Sequence, residues 1–224
     1  QSGLNRFDGF RFKTFLSKAN DRTSLPNNLV EEIQEDAAGN LWIRTVIGYC
    51  IYSPQTETFD TALPDWMKKH GMQGVPDKVF IDAEKNMWLA VNGRGLYFYN
   101  VKRGRAFLFP RHRRVPTALD SDVITHISPY GRQVLVSLND GRLACLDGYS
   151  HRIVWRNGEI FRRNGGAKKD YKAQVDGMGN IWYTFSGKTI CRSRRQHRWF
   201  DSASEFLRSE GCRLPLTDFV VKAI

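Results

Sequence analysis

One repeated string constrains this chain more than any other feature. Leu29-Val30-Glu31-Glu32-Ile33-Gln34-Glu35-Asp36-Ala37-Ala38-Gly39-Asn40-Leu41-Trp42-Ile43 returns as Val79-Phe80-Ile81-Asp82-Ala83-Glu84-Lys85-Asn86-Met87-Trp88-Leu89. It returns again as Ala173-Gln174-Val175-Asp176-Gly177-Met178-Gly179-Asn180-Ile181-Trp182-Tyr183. In each copy an Asp stands six residues before the Trp and an Asn stands two before it. Trp88 follows Trp42 by 46 residues, so a further copy is due near position 134. There Val134 replaces the Trp and Ser128 the Asp, while Gly131 keeps the turn three residues before Val134. Trp182 lies 48 residues beyond Val134, so the period survives a degenerate copy. A repeat of this length is one supersecondary unit that buries its faces by stacking on its neighbours.

Each copy reads as strands. Alternation such as Val79 and Ile81 suits a short inner strand. Asp-x-x-Gly-Asn is turn chemistry, because Asp accepts nearby backbone N–H groups and Gly or Asn tolerates positive φ. Leu41-Trp42-Ile43 forms a second strand, and a glycine turn follows in every copy (Gly48, Gly93 and Gly95, Gly141, Gly187). A third strand comes next (Cys50-Ile51-Tyr52, Leu96-Tyr97-Phe98-Tyr99, Leu143-Ala144-Cys145-Leu146, Thr189-Ile190-Cys191), and an outer strand ends on Phe59, Phe107 with Phe109, Trp155 or Trp199-Phe200. Four short strands per repeat make a β-propeller blade, so the expected class is all-β, a propeller segment. Blades are expected at about 25–60, 76–109, 120–156 and 171–200, with partial blades at 3–15 and 216–224. A seven-bladed ring needs roughly 315 residues, so the sequence reads as part of a longer protein.

Composition fits a packed fold. Hydrophobic residues are 41% of the 224, with 6 Trp, 14 Phe and 8 Tyr, and no run is long enough to span a membrane. Cys50, Cys145, Cys191 and Cys212 are widely spaced, which argues against a zinc site and for buried free thiols. Lys plus Arg is 34 against 23 acids, a net charge of +11, which raises the local concentration of anionic partners. The repeat tryptophans Trp42, Trp88 and Trp182 have the flanking residues of inter-blade core rather than of an exposed stacking platform. Asp36, Asp82 and Asp176 belong to turns, since one Asp and one Asn fall short of the six to eight oxygens that calcium takes. No metal or cofactor is expected.

Basic residues carry the functional signal. In a propeller the links between blades share one face with the turns between second and third strands. Arg111, Arg113, Arg114, Lys168 and Lys169 fall in links, and Arg44 and Arg94 fall in or beside such turns. Lys102, Arg103, Arg105 and the group from Arg192 to Arg198 fall instead at third-to-fourth strand turns, on the opposite face. Arginine binds carboxylate or sulfate through paired hydrogen bonds, so the seven residues are candidates for an acidic oligosaccharide. No G-x-S-x-G, H-E-x-x-H or Walker string occurs, and the five histidines are scattered, so no catalytic residue is assigned.

Gly3-Leu4-Asn5-Arg6-Phe7-Asp8-Gly9-Phe10, Ser24-Leu25-Pro26-Asn27-Asn28-Leu29 and Asp36-Ala37-Ala38-Gly39-Asn40-Leu41-Trp42-Ile43 together resemble the two-component regulator propeller repeat. That repeat fills the periplasmic sensor region of hybrid two-component systems in gut Bacteroides-type bacteria. The resemblance implies a periplasmic sensor of oligosaccharide, non-enzymatic in these residues. Further propeller, a β-sandwich, a membrane span, a histidine kinase, a receiver and a DNA-binding region would lie elsewhere in a homodimeric parent. The family reads Trp-Ile-Gly-Thr after the turn; here Arg44 takes the place of that Gly. Two other readings stay open. One is a propeller lyase or hydrolase, since propellers host many chemistries. The other is a docking propeller for protein or nucleic acid; the latter predicts steeply salt-dependent binding, and no nucleic-acid motif supports it.

Overall fold

The computed structural model describes residues 3–111, 115–121 and 123–211. The chain forms two compact units: one runs to Ile124 and adds Gly148–Arg152, and the other takes the remainder. Residues 216–224, where a partial blade is expected, lie outside the described residues, as do Arg113, Arg114 and Cys212.

The first unit opens with a hairpin, β1 (Leu4–Phe7) and β2 (Phe12–Phe15), paired Leu4 to Phe15 and Phe7 to Phe12. Leu4 and Phe15 pack on Tyr52 and Phe59 of the sheet that follows. That sheet is the antiparallel meander β3 (Val30–Glu35), β4 (Leu41–Thr45), β5 (Gly48–Ser53) and β6 (Thr58–Asp60). After a link containing helix α1 (Leu63–Lys69), a second meander follows: β7 (Lys78–Ile81), β8 (Met87–Val91), β9 (Gly95–Asn100) and β10 (Arg105–Pro110). Every residue of β8 and β9 is buried, as expected of central strands covered on both faces. Trp42 and Trp88 are each 1% exposed. Each removes roughly 200 Å² from water, on the order of 4–5 kcal/mol of hydrophobic stabilisation before entropic costs.

Side chains of the first sheet grip the inner edge strand of the second. Gln34 donates its amide to the Val79 carbonyl at 2.7 Å and accepts the Ile81 N–H at 2.6 Å, while Tyr49 Oη accepts the Val79 N–H at 3.0 Å. An edge strand presents unpaired backbone groups, and these three bonds satisfy three of them where the two sheets meet. The turn at 148–152 also packs on this unit. A Cβ on Gly148 would come within 2.5 Å of the Phe98 ring, and His151 stacks on Phe107 at 3.9 Å.

The second unit holds two meanders. The first is β11 (Ile124–Tyr130), β12 (Gln133–Leu138), β13 (Leu143–Asp147) and β14 (Arg152–Asn157). The second, after helix α2 (Glu159–Arg163), is β15 (Lys172–Val175), β16 (Ile181–Phe185), β17 (Lys188–Arg192) and β18 (Trp199–Phe200), followed by helix α3 (Ala203–Ser209). The copy that lacks Trp has a shorter turn, Gly131-Arg132, and Val134 is buried where the indole sits elsewhere. The grip on the next inner strand recurs. Ser137 Oγ accepts the Ala173 N–H at 2.9 Å, and Ser128 Oγ donates to the Ala173 carbonyl at 2.8 Å. Ala173 and Val79 both stand nine residues before their Trp, so the repeat fixes packing between sheets as well as pairing within them.

The fold is therefore all-β with propeller-type four-stranded meanders. The three helices of the described residues, absent from the sequence reading, all lie in links after an outer strand. Two do the same task. Trp66 of α1 meets Trp42 edge-on at 4.8 Å and 81°, and Phe206 of α3 meets Trp182 at 5.3 Å and 89°.

Candidate functional site

In each unit the described candidate basic residues sit at the end of the meander where the links enter and leave. In the first unit Arg94 occupies the β8–β9 turn, and the Arg111 N–H, just past β10, donates to the Arg94 carbonyl at 3.1 Å. The backbone thus brings these two exposed arginines together. Asp77 closes the same turn by accepting the Asn92 N–H at 2.6 Å. Arg44 differs. The β3–β4 ladder slips between Val30 and Glu32, and the extra residue Glu31 ion-pairs with Arg44 Nε at 3.1 Å. Its charge is already matched within the sheet.

In the second unit the corresponding end is built from the β12–β13 turn and the link after α2. The Lys169 N–H donates to the Asn139 carbonyl at 2.8 Å, and Lys168 Nζ donates to Asn139 Oδ1 at 3.2 Å. Lys169 Nζ stands 5.6 Å from the Phe185 ring centre. Arg142, two residues past Asp140 in that turn, was not among the sequence candidates, although it follows Gly141 as Arg94 follows Gly93. Its guanidinium lies 3.8 Å over the Phe161 ring, and Nη1 donates to Asp140 Oδ2 at 2.9 Å. Arg162 and Arg163 on α2 are engaged with Glu159, and Arg163 also with Asp201. Those contacts hold the Glu159 carboxyl below its ordinary pKa.

A cleft of about 610 Å³ at the opposite end of the second unit is lined by Met178, Asn180, Arg194, Arg195, His197, Phe206, Leu207 and Glu210. It lies beside α3 and Trp182. In the first unit the matching space beside α1 and Trp42 is filled by core residues, Tyr99 and Met87 among them, so its shape belongs to the packing of the repeat. Among the described residues no cluster of three or more His, Cys, Asp or Glu is placed to hold a metal ion, and no helix is long and apolar enough to cross a membrane. The three described cysteines are buried free thiols whose pKa burial pushes up to about 12.

No protein-family model matches the chain, and no curated protein matches it by sequence. Solved structures do match. The extracellular domain of the proposed hybrid two component system BT3049 from B. thetaiotaomicron is similar over 89% of this chain and 27% of its own length, at 19% identity and a TM-score of 0.58. The extracellular domain of BT4673 from the same organism, described both as a one component and as a hybrid two component system, is similar over 91% of this chain and 29% of its own, at 18% identity and a TM-score of 0.55. PorZ, a surface component of the type-IX secretion system of Porphyromonas gingivalis, is similar over 84% of this chain and 23% of its own, at 10% identity and a TM-score of 0.50. The chain thus spans less than a third of these proteins, and at such identities what it shares with them is the fold.

Proposed function

We propose that this chain is a ligand-sensing part of the periplasmic region of a hybrid two-component sensor. In this reading it detects an oligosaccharide and signals to a histidine kinase encoded elsewhere in the parent chain. The observation that carries the reading is the likeness to the BT3049 extracellular domain over 89% of the chain, joined to the repeat strings that resemble the regulator propeller. The link-side ends of both units supply the chemistry, since they gather exposed cations on turns held by backbone hydrogen bonds. Signalling requires that the ligand favour one of two arrangements of the parent, a homodimer here, because only differential affinity shifts such an equilibrium.

The fold also suits a docking role, as the likeness to PorZ suggests. A glycan-array screen of the full chain, followed by a turnover assay on each hit, separates the possibilities. Binding without product supports sensing, and cleavage of a bound glycan supports an enzyme. A blank array with capture of a protein partner supports docking. Reading the coding sequence downstream gives an independent check, since a membrane span and a kinase should follow.

A further inference from the structure

We infer that the Asn139–Arg142 turn, with Lys168 and Lys169 of the following link, forms a subsite for one oxyanion, a sugar carboxylate or sulfate. The inference rests on the sensing reading and names the chemical class of its ligand.

Arg142 carries the argument because it is already held. One face of its guanidinium lies on Phe161 at 3.8 Å and one edge is fixed by Asp140, whose side chain is only 5% exposed. Phe161 is backed in turn by Gly166, where a Cβ would come within 2.7 Å of the ring. Nε and Nη2 make no hydrogen bond among the described residues, and the side chain keeps 30% of its exposure. A guanidinium stacked on a ring and pinned along one edge loses little side-chain freedom when it takes a ligand. Its remaining donors match the two oxygens of a carboxylate or sulfate.

Charge completes the site. Both lysines are tied to Asn139, the first residue of the same turn, Lys168 through its ammonium and Lys169 through its backbone N–H. Among the described residues neither ammonium forms an ion pair with a carboxylate: Lys168 meets a neutral amide oxygen and Lys169 the face of Phe185. Arg142 is ion-paired with Asp140 and neither lysine is ion-paired among those residues, so positive charge is in excess. A neutral sugar hydroxyl would leave that excess unmatched, whereas an oxyanion offsets it. Arg162 and Arg163 on α2 lack this property because Glu159 and Asp201 engage them.

Isothermal titration of the full chain with three probes tests the inference: a polygalacturonate oligosaccharide, a sulfated galactan oligosaccharide and a neutral galactan oligosaccharide. At least one charged probe should bind, and the two arms show whether carboxylate or sulfate fits. Arg142→Gln should weaken that probe about tenfold or more, the value of a charge-assisted pair. Arg142→Lys keeps the charge and the fold but not the paired geometry, and should fail to restore affinity. Lys168→Gln with Lys169→Gln should weaken binding and flatten its salt dependence, while Arg162→Gln should change nothing. A charged probe that binds Arg142→Gln and Arg142→Lys at wild-type affinity, or binding of the neutral probe alone, overturns the subsite and leaves the sensing reading intact. Failure of all three probes, together with a blank glycan array, overturns both.

Discussion

Trp182 donates its indole N–H to Asp176 Oδ2 at 2.8 Å, and Trp42 donates to Asp36 Oδ2 at 3.2 Å. The same carboxylates accept backbone N–H groups of their turns, Ala38 and Asn40 in one, Met178 and Asn180 in the other. The six-residue spacing is thus a physical bracket: one Asp shapes the turn and pins the next strand's buried ring. In the second meander the bracket is incomplete. Trp88 Nε1 is buried with no partner, and Asp82 is engaged by Glu84 and Asn86. We expect Asp36→Ala to cost about 3 kcal/mol and Asp82→Ala roughly half of that, since only the first strands a buried indole. Both lie in the first unit, so urea unfolding compares them directly. Equal costs would show that the indole bond adds nothing.

Asp176 gives the second unit a pH dependence. Burial raises its pKa, but hydrogen bonds from the Trp182 indole, the Asn180 side chain and two backbone N–H groups outweigh it and leave the carboxyl below its ordinary value. A carboxyl so depressed contributes stability in full above its unfolded pKa, near 4, and loses it as pH falls through the folded value. Thermal unfolding between about pH 2.5 and pH 6 should show this loss below about pH 4. Asp176→Asn should flatten that limb. A slope unchanged by the substitution would refute the assignment.

The thiols should be inert. Cys50, Cys145 and Cys191 are each 0% exposed with pKa near 12, so almost no thiolate forms at neutral pH. Native protein treated with iodoacetamide at about pH 8 should stay unlabelled at all three sites, with full labelling in guanidinium. Rapid native labelling of any of them, read by peptide mass spectrometry, would contradict the buried placement.

Gln34 joins one sheet to the next through two short bonds to Val79 and Ile81. Gln34→Leu keeps much of the volume but strands a carbonyl and an N–H, at a cost of about 2–4 kcal/mol. Circular dichroism at 25 °C should still show the β signal, with the urea midpoint lowered. A variant as stable as the parent would mean that water or another side chain replaces the amide.

The meanders were legible because a strand ladder depends on neighbours close in sequence: turn residues, alternation and a fixed Asp-to-Trp interval. The link helices were not, since each runs five to seven residues, too short for a helical period to show. One signal was present. Ser202-Ala203-Ser204-Glu205 is a helix start, and Ser202 Oγ accepts the Glu205 N–H at 3.1 Å. At the basic sites, the sequence did not show which cations are already paired or stacked. Arg44 lies 13 residues from Glu31 in sequence but beside it across a slipped ladder. Arg142 stands outside every basic run, and what distinguishes it is Phe161, 19 residues further on, which no local pattern reveals.

The link helices have a consequence for how such a molecule changes over generations. Register within each meander is set by its short turns, while the links absorb whatever length and composition lie between one outer strand and the next inner one. Methionine and aromatic edges around α1 (Met67, Met72, Trp66) make a filling that tolerates reshaping better than a ladder of hydrogen bonds does. A graft into a link can therefore reshape the surface without disturbing the strand pairing beneath it.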